Sequence, residues 1–451
     1  MTYREHMRAI LALGLPLIGG HLAQVAIGLT DTVMLGWYGV EALAAATLGS
    51  TFFFVFFVFG AGFAWAVMPM VAAFDAAGDD TGVRRATRMG LWLCLGFGLL
   101  AQPAFIWSEP LLLGLGQAPQ TAALAADYLA VAGAGVVPAL LVVVLKSYLA
   151  ALERTQVVFW ITLLAAVVNG LANWAFIFGN WGAPEMGVVG AALASVITQG
   201  VALACVVLYA ALALPDHALF VRLWRADPKM LSRVFRLGCP IGLTGLSETG
   251  LFATSALMMG WLGTVPLAAH GIAVQLASLT FMVHMGLSNV ATIRAGNAFG
   301  RADPVHMERG ALVACVMSLA VAALTIAVFV ALPEQLISVF IEADDPDRAA
   351  ILAIGVGLLA MAALFQLVDG AQVMALGLLR GVQDTKVPMI YAAVSYWLIG
   401  IPCSYLFGFS LGLEGIGIWL GLVVGLGAAA GSLSWRFWGR SLRRLKAVAQ
   451  L

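Results

Sequence analysis

Apolar residues fill long, uninterrupted segments of this chain, and short polar stretches separate these segments. Twelve segments reach the roughly 20 residues that an α-helix needs to cross a hydrocarbon core about 30 Å thick. They cover residues 10–34, 44–72, 87–107, 127–150, 157–178, 187–213, 233–258, 268–293, 311–332, 350–377, 388–408 and 416–437. Each is apolar on all sides and much longer than the ~10-residue alternating strands of a membrane barrel. The pattern predicts an all-α integral membrane protein with twelve transmembrane helices.

The composition supports this class and excludes several others. The chain is 62% hydrophobic and 10% charged, whereas soluble domains carry roughly 25% charged residues. Its formal net charge is zero, so no attraction to nucleic acid is expected. The five cysteines lie inside predicted spans without paired spacing, which indicates neither disulfides nor a metal cluster. The first apolar segment is too long for a signal peptide, and we expect it to be a retained helix.

Basic residues concentrate in the loops on one side of the predicted spans. These loops carry Arg84, Arg85, Arg88, Arg154, Arg222, Arg225, Arg294, Arg301, Arg380 and Lys386, and Arg4 and Arg8 precede the first span. The opposite loops carry mostly acids, and Arg348 is the exception. The positive-inside rule therefore predicts that both termini are cytoplasmic. An even number of spans requires both ends on one side, and we expect a multi-pass protein of the bacterial cytoplasmic (inner) membrane.

The two halves of the chain are related by an internal repeat. A shift of 224 positions aligns Leu13–Pro16 with Leu237–Pro240, and Met34–Gly39 with Met258–Gly263. The same shift pairs Gly62 with Gly286, Asp79 with Asp303 and Arg85 with Arg309. Each half holds six spans, so both halves enter the membrane from the same side. Parallel repeats of this kind are related by an axis along the membrane normal, as in transporters that alternate access around a central site.

This repeat predicts the domain organisation. Residues 1–214 form an N-lobe with six transmembrane helices, and residues 231–451 form a C-lobe with the other six. Residues 215–230 form a charged linker between the lobes, which we expect to be cytoplasmic.

Three acidic residues lie deep inside apolar segments: Asp31, Glu248 and Asp369. A carboxylate inside a membrane is costly unless it is paired, protonated or exposed to water, and such residues are usually functional. The repeat places Gln24 opposite Glu248, and Asp31 opposite Ser255. Because the lobes share a frame but differ in ionisable groups, we expect them to bind different ligands, and the acids to bind and release a cation.

Several motifs together resemble the multidrug and toxic compound extrusion (MATE) family of transporters, in its NorM-like branch. The resemblance covers nearly the whole length. Its marks are Pro16, Gln24, Asp31–Gly36, Gly60–Gly62, Pro69, Val168–Asn173, Glu248, Asp369, Gly377–Gly381 and Asp384–Thr385. Membership would imply a V-shaped pair of six-helix lobes that exports drugs and organic cations. Influx of Na⁺ or H⁺ as the coupling ion would drive the export, without a cofactor.

The resemblance also implies roles for particular residues in the N-lobe. It implies that Asp31, Asn169 and Asn173 face one another and bind a cation or a proton. Asn169 and Asn173 are four residues apart, so they share one helix face, and each offers a carbonyl oxygen and amide donors. The alternative is that both amides only bind neighbouring helices. We expect Gln24 and Asp31 of this lobe, and Gln275 of the C-lobe, to contact the substrate.

In the C-lobe, the resemblance implies a cation site formed by Glu248 and Asp369. Phe365 lies one helical turn before Asp369, where this branch places an aromatic residue near the cation. Here the residue is Phe rather than Tyr, so a ring-face contact is retained but a hydroxyl ligand is lost. Oxygen ligands suit a hard cation, and no metal other than Na⁺ is expected.

Two other functions compete with the cation-coupled drug antiporter. One is a lipid-linked oligosaccharide flippase of the related superfamily, which would need a strongly basic cavity for pyrophosphate, whereas this chain carries acids in its spans. The other is a membrane-embedded enzyme, but no nucleotide loop, dinucleotide fingerprint or catalytic triad spacing is present, so we expect a non-enzyme. The expected partners are cationic or amphipathic small molecules and the lipid bilayer, with no nucleic acid, and we expect a monomer. The choice between Na⁺ and H⁺ stays open.

Overall fold

A computed structural model describes residues 1–342 and 345–448, and twelve long helices dominate these residues. They are α1 (Tyr3–Tyr38), α2 (Val40–Ala76), α3 (Asp80–Ile106), α4 (Pro119–Ala151), α5 (Thr155–Phe178), α6 (Gly187–Ala213), α7 (Pro228–Leu262), α8 (Thr264–Gly300), α9 (Pro304–Ala331), α10 (Arg348–Gly381), α11 (Lys386–Ser410) and α12 (Glu414–Ala447). Short helices, Ser108–Gly114 and Pro333–Ser338, precede α4 and α10. Residues 343, 344 and 449–451 of the predicted C-lobe lie outside the described residues.

Each of the twelve predicted apolar segments corresponds to one of these helices. Within the described residues, eleven helices are long and apolar enough to cross a membrane. The remaining one, α7, is 35 residues long, but Glu248 and neighbouring Ser and Thr residues lower its mean hydropathy. Several helices begin before their apolar segments, because polar residues form the first turns of these helices. The predicted fold class, a twelve-helix membrane protein built from two parallel repeats, is confirmed.

The internal repeat is visible in the helix boundaries and in their caps. Shifted by 224 positions, α1, α2 and α3 coincide with α7, α8 and α9 to within one residue at each end. Asp79 caps α3 by accepting a hydrogen bond from the Gly82 amide, at 2.8 Å. Asp303 caps α9 by accepting from the His306 amide, at 2.9 Å. The repeated Asp residues therefore have the same local role, which is the satisfaction of a free amide at a helix start.

The chain divides into two compact units. The N-unit is Gly19–Gly242, and the C-unit is Met1–Ile18 together with Leu243–Leu451. The two repeat-related helices α1 and α7 therefore each contribute to both units. Within the N-unit, α4 packs against α2, α3 and α6. Within the C-unit, α10 packs against α8, α9 and α12, and it carries Asp369 into the centre of that unit.

Helices α8 and α10 approach each other closely through small residues. The Ser288 hydroxyl donates to the carbonyl of Val373 at 2.7 Å, and the Thr292 hydroxyl donates to the carbonyl of Gly377 at 2.9 Å. A Cβ atom at Gly377 would lie 2.3 Å from Ser288 Oγ and 2.7 Å from the Ser288 carbonyl oxygen. This arrangement, with small residues and hydroxyl groups at the interface, is typical of transmembrane helix pairs. It fixes the helix that carries Asp369.

We expect Gly377→Ala to destabilise the protein by about 1–3 kcal/mol, because the added methyl group must displace the α8 backbone. The measurement is the midpoint of thermal unfolding of the purified protein in detergent. Gly271→Ala on α8 is the matched control, since nothing lies within 4 Å of its added Cβ. Equal unfolding midpoints for the two variants would contradict the close approach of α8 and α10.

The linker after α6 is bound to α3 inside the N-unit. The Arg88 guanidinium donates to the carbonyls of Ala218 and Leu219, each at 2.6 Å. The Trp92 indole donates to the carbonyl of Leu223 at 2.8 Å. Side chains of α3 therefore hold the linker backbone in place by satisfying carbonyls that have no helical partner.

Asp227, at the end of the linker, has two contacts. Its carboxylate forms an ion pair with Arg85 on α3, and Asp227 Oδ1 accepts from the Met230 amide at 3.1 Å, in the first turn of α7. The hydrogen bond from Arg85 holds the pKa of Asp227 below its usual range. The contribution of Asp227 to stability is therefore present above the usual carboxyl pKa, and it is lost as pH falls through the lowered pKa.

Candidate functional site

The N-unit brings Asp31 on α1 together with Asn169 and Asn173 on α5. Asn169 Nδ2 donates to Asp31 Oδ1 at 3.0 Å, and Asn173 Nδ2 donates to the same oxygen at 2.5 Å. Asn173 Nδ2 also lies 3.2 Å from Asn169 Oδ1. Both asparagines are fully buried, while Asp31 is half-buried. The three side chains that the resemblance implied to be neighbours do form one hydrogen-bonded cluster.

The donors and acceptors of this cluster determine what it can hold. Two amide groups donate to one carboxylate oxygen, an arrangement that stabilises the charged form of Asp31. Asn173 Oδ1 is buried and has no hydrogen-bond donor among the described residues. A buried acceptor without a donor is unfavourable, and a proton or a cation beside Asp31 would satisfy it. The cluster is therefore suited to alternate between a free carboxylate and a carboxylate that has bound a positive charge.

The C-unit brings Asp369 on α10 near Glu248 on α7. Asp369 is 2% exposed, and its Oδ1 atom has no donor within the described part of the chain. Glu248 is half-buried and lies within electrostatic range of Asp369. Two carboxylates in one weakly solvated pocket repel each other strongly. A cation or a proton shared between them would relieve this repulsion.

Phe365 forms an aromatic wall beside this acidic pair. It is 2% exposed, and its ring makes edge contacts with Phe252, at 5.9 Å between centroids, and with Trp419, at 5.5 Å. The Trp419 indole in turn donates to His270 Nδ1 at 3.1 Å. Phe252 lies one turn from Glu248, and Phe365 lies one turn from Asp369. The aromatic contacts therefore hold α7 and α10 together on one side of the acids and exclude water there.

Three residues near the acids were not predicted as site residues: Gln372, Arg380 and Tyr396. Gln372 lies within interaction range of both Glu248 and Tyr396, and neither polar atom of its side chain has a hydrogen-bond partner among the described residues. Arg380 was predicted as a topology residue and as part of the family motif Gly377–Gly381, but not as a site residue, and it lies within electrostatic range of Glu248. Gln372 and Arg380 follow Asp369 at helical spacing on about the same face of α10. This spacing is the sequence signal that could have identified them as site residues.

The expected substrate residues Gln24 and Gln275 form no hydrogen bond with either cluster among the described residues. Both side chains are exposed, Gln24 on α1 and Gln275 on α8. Gln24 is about two helical turns before Asp31, so it lies on nearly the same face of α1. Their assignment to substrate binding stays a prediction.

Two long segments of the chain, residues 16–175 and 240–406, each match the family profile MatE. The chain belongs to the MatE family. The two matched segments begin at the prolines that the internal repeat pairs, Pro16 and Pro240. The family profile therefore covers each half separately, and each half is one MatE repeat.

Relatives of this MatE protein share its full length. A protein of Rhizobium meliloti (strain 1021) named "Probable multidrug resistance protein NorM" is 44% identical over 449 residues, which are 99% of this chain and 96% of that protein. A protein of Agrobacterium fabrum with the same name is 44% identical over 438 residues, which are 97% of this chain and 94% of that protein. The sequence resemblance to the MATE family and its NorM-like branch is thereby confirmed.

Solved structures support the same fold for this MatE chain. A crystal structure of MATE in complex with MaL6 superposes with a TM-score of 0.89 at 21% identity, covering 99% of this chain and 98% of that one. An outward-facing structure of a multidrug resistance MATE family transporter of the MOP superfamily gives a TM-score of 0.88 at 21% identity, covering 99% of this chain and 97% of that one. At this identity the similarity establishes the fold alone.

Proposed function

We propose that this MatE protein is a secondary antiporter that exports cationic and amphipathic drugs in exchange for Na⁺ or H⁺. The observation that carries the proposal is the buried Asp369 carboxylate with an unpartnered oxygen beside a second acid, Glu248. Pairs of acidic residues inside a membrane protein are costly, and they usually bind and release ions or protons. The names of the relatives, probable multidrug resistance proteins, support drugs as the substrate class.

The two acidic clusters bind different ligands in this proposal. Glu248 and Asp369, with Phe365 beside them, bind the coupling cation. Asp31 with its two asparagine partners binds a proton or the cationic part of a substrate, and Gln24 and Gln275 contact the substrate on its path.

The transport cycle follows from competition for these acids. In the outward-facing state the acids bind the coupling ion, and the bound ion displaces the cationic substrate. The loaded protein turns inward and releases the ion to the cytosol, and the emptied acids then favour new substrate. Each ligand must weaken the binding of the other by the same factor, because the coupling of two binding sites is reciprocal.

A lipid-linked oligosaccharide flippase is less well supported, because both clusters contain carboxylates that would repel a pyrophosphate group. An enzymatic function has no support either, since the MatE family matches residues 16–175 and 240–406 and the full-length relatives are named as multidrug resistance proteins. The acidic pair therefore favours export of cations over the flipping of anionic lipids.

The proposal is tested by ethidium efflux from proteoliposomes that contain the purified protein. An imposed Na⁺ gradient and an imposed H⁺ gradient are applied in separate experiments, with protein-free liposomes as the control. We expect at least one gradient to drive efflux well above the control rate. Efflux at the control rate under both gradients would refute the antiporter.

The proposed location is the bacterial cytoplasmic membrane, with both termini and the linker 215–230 in the cytoplasm between lobes 1–214 and 231–451. In a cysteine-free background, we expect Ala226→Cys to react with an impermeant thiol reagent only after the membrane is permeabilised. Ala226 is exposed, and unlike Asp227 it carries no ion pair. Glu109→Cys, in an exposed position of an opposite loop, is the control and should react in intact cells. The reverse labelling pattern would overturn the orientation.

A further inference from the structure

A groove between α9, α10 and α12 in the C-unit has no role in the proposed transport cycle. Its volume is about 510 Å³, within the range of roughly 300–1,000 Å³ that is usual for ligand pockets. Cys315 of α9, Met374 of α10 and Ala430 of α12 are among its walls, and neither Glu248 nor Asp369 lines it. The groove is therefore large enough for a ligand and separate from the acidic pair.

The walls of the groove are almost entirely apolar. Among the lining residues that the structure describes, none is charged, and Ser318 and Ser434 contribute hydroxyl groups. The Ser318 hydroxyl already has a partner, because its oxygen lies 2.8 Å from His284 Nδ1. Along the α9 edge of the groove, Leu312 and Leu319 are 44% and 54% exposed. The groove is thus open at its side and suited to a hydrocarbon chain.

The length of the groove corresponds to one leaflet of a membrane. Its lining residues on α10 extend from Leu367 to Leu378, a separation of 11 positions that spans about 16 Å of α-helix. The hydrocarbon core of a membrane is about 30 Å thick, so one leaflet contributes about 15 Å. An acyl chain that enters the groove at a membrane surface would therefore fill it.

One end of the groove lies where α10 ends and α9 begins. Trp438 lines this end, and it follows Arg436, whose Nε donates to Asp384 just beyond α10 at 2.7 Å. Near the end of α12, Lys446 forms an ion pair with Glu308 in the second turn of α9, at 2.7 Å. Tryptophan is enriched where hydrocarbon meets water. This end of the groove is therefore at the level of the lipid headgroups.

Exposed positive charge is concentrated at the same end. Arg440, Arg443 and Arg444 follow Trp438 in the last turns of α12, and all three side chains are exposed. They form no ion pair with any residue that the structure describes. Clusters of basic residues at the end of a transmembrane helix attract anionic lipids. The apolar groove and the free arginines together match the two parts of a phospholipid.

We propose that the groove binds one anionic phospholipid, with an acyl chain between α9, α10 and α12 and the headgroup at Arg440, Arg443 and Arg444. A zwitterionic lipid fits the groove equally well but lacks the net attraction to the arginines, and a cationic drug is repelled by them. Gly370 lines the groove and directly follows Asp369. The bound lipid therefore packs against the helix that carries this acid, whatever ion or substrate the protein transports.

The first test is lipid retention by the purified full-length protein, measured by native mass spectrometry. Equal amounts of phosphatidylglycerol and phosphatidylcholine with the same acyl chains are added in detergent. We expect the wild type to retain one phosphatidylglycerol in preference to phosphatidylcholine. Replacement of Arg440, Arg443 and Arg444 by glutamine should reduce this preference by about fivefold per removed charge, the usual contribution of a basic residue near a membrane surface.

A charge-matched control replaces three exposed arginines of the N-unit by glutamine, and it should keep the preference for phosphatidylglycerol. These are Arg154, Arg222 and Arg225. Equal retention of the two lipids by the wild type would overturn the site. The same loss of preference in the control variant would also overturn it, because net charge rather than the end of α12 would then decide lipid binding.

The second test locates the acyl chain. Phosphatidylglycerol with a diazirine in its acyl chain is photolysed on the protein, and the cross-linked peptides are mapped. We expect cross-links within residues 312–322 and 427–438, and about 10-fold fewer in Gly427→Leu, because the leucine fills space that the close-packed chain would occupy. The added Cβ meets nothing closer than 3.6 Å, so the substitution is compatible with the fold.

Gly431→Leu is the matched control, since it is the same change on the same helix at an exposed position, with nothing within 4 Å of its added Cβ. It should give as many cross-links as the wild type. Cross-links that persist in Gly427→Leu would overturn the site. Their loss on addition of ethidium would assign the groove to a drug, and a lipid-free dimer would assign it to a second copy of the chain. If Gly427→Leu does not fold, the arginine variant decides, because it changes only exposed side chains.

Discussion

Asp369→Asn is expected to abolish ion-driven drug efflux while the protein stays folded. The substitution keeps the shape of a side chain that is 2% exposed, so packing around α10 is preserved. It removes the negative charge that attracts the coupling cation, and an asparagine cannot bind and release a proton in its place. The measurement is ethidium efflux from proteoliposomes under both gradients, with thermal unfolding of the same preparation as the test of folding.

The matched control is Asp127→Asn, the same chemical change at an exposed position of α4. This variant should transport at the wild-type rate, because Asp127 lies outside both acidic clusters. Efflux by a folded Asp369→Asn protein at the rate of Asp127→Asn would remove Asp369 from the coupling mechanism.

The helices could be predicted from the sequence because the membrane restricts the backbone of a long apolar segment to a helix. A chain in lipid must satisfy its backbone groups internally, so each apolar segment of about 20 residues forms a helix. Even α7 was recognised, although Glu248 reduces its apolar character. The helix ends were less predictable. For α3, the start depends on the Asp79 cap, and for α4, the helix begins at Pro119, well before the apolar segment.

The N-unit cluster shows how much of a site a sequence can reveal. The spacing of Asn169 and Asn173 placed both amides on one face of α5, but it did not show which helix they would meet. The resemblance to a family indicated Asp31 as the partner of both amides, and the hydrogen bonds from Asn169 and Asn173 to Asp31 agree with this prediction. The roles of these residues in binding a proton or a cation stay a prediction.

The C-unit pocket shows what the sequence could not reveal. Tyr396 gave no signal, because the direction of its side chain depends on a π-helical segment that breaks the regular periodicity of α11. Arg380 was assigned to topology because it lies at the basic end of α10, whereas its long side chain extends into electrostatic range of Glu248. Both features depend on how helices distant in sequence are packed, and local patterns do not contain that information.

Glu248 and Asp369 are expected to act as one unit, so Glu248→Gln and Asp369→Asn should each reduce ion binding about as much as the double variant does. In the proposed site both carboxylates bind one cation, so removal of either carboxylate removes half of the negative charge that holds the cation. Titratable groups that interact strongly bind ions and protons as a pair rather than singly. The measurements are cation binding and efflux for each single variant and for the double variant.

Asp31→Asn is the independent arm of this experiment, because Asp31 forms its hydrogen bonds with Asn169 and Asn173 in the N-unit. We expect it to change substrate competition and the pH dependence of efflux. Its effect on the free energy of cation binding should add to that of Asp369→Asn without a coupling energy. For the C-unit acids we expect a coupling energy of about 1–3 kcal/mol, as for residues that share one network. Additive losses for Glu248 and Asp369 would falsify the shared site, since two independent carboxylates have no reason to depend on each other. Unchanged ion affinity in both single variants would have the same consequence, because the buried carboxylates would then hold no common ion.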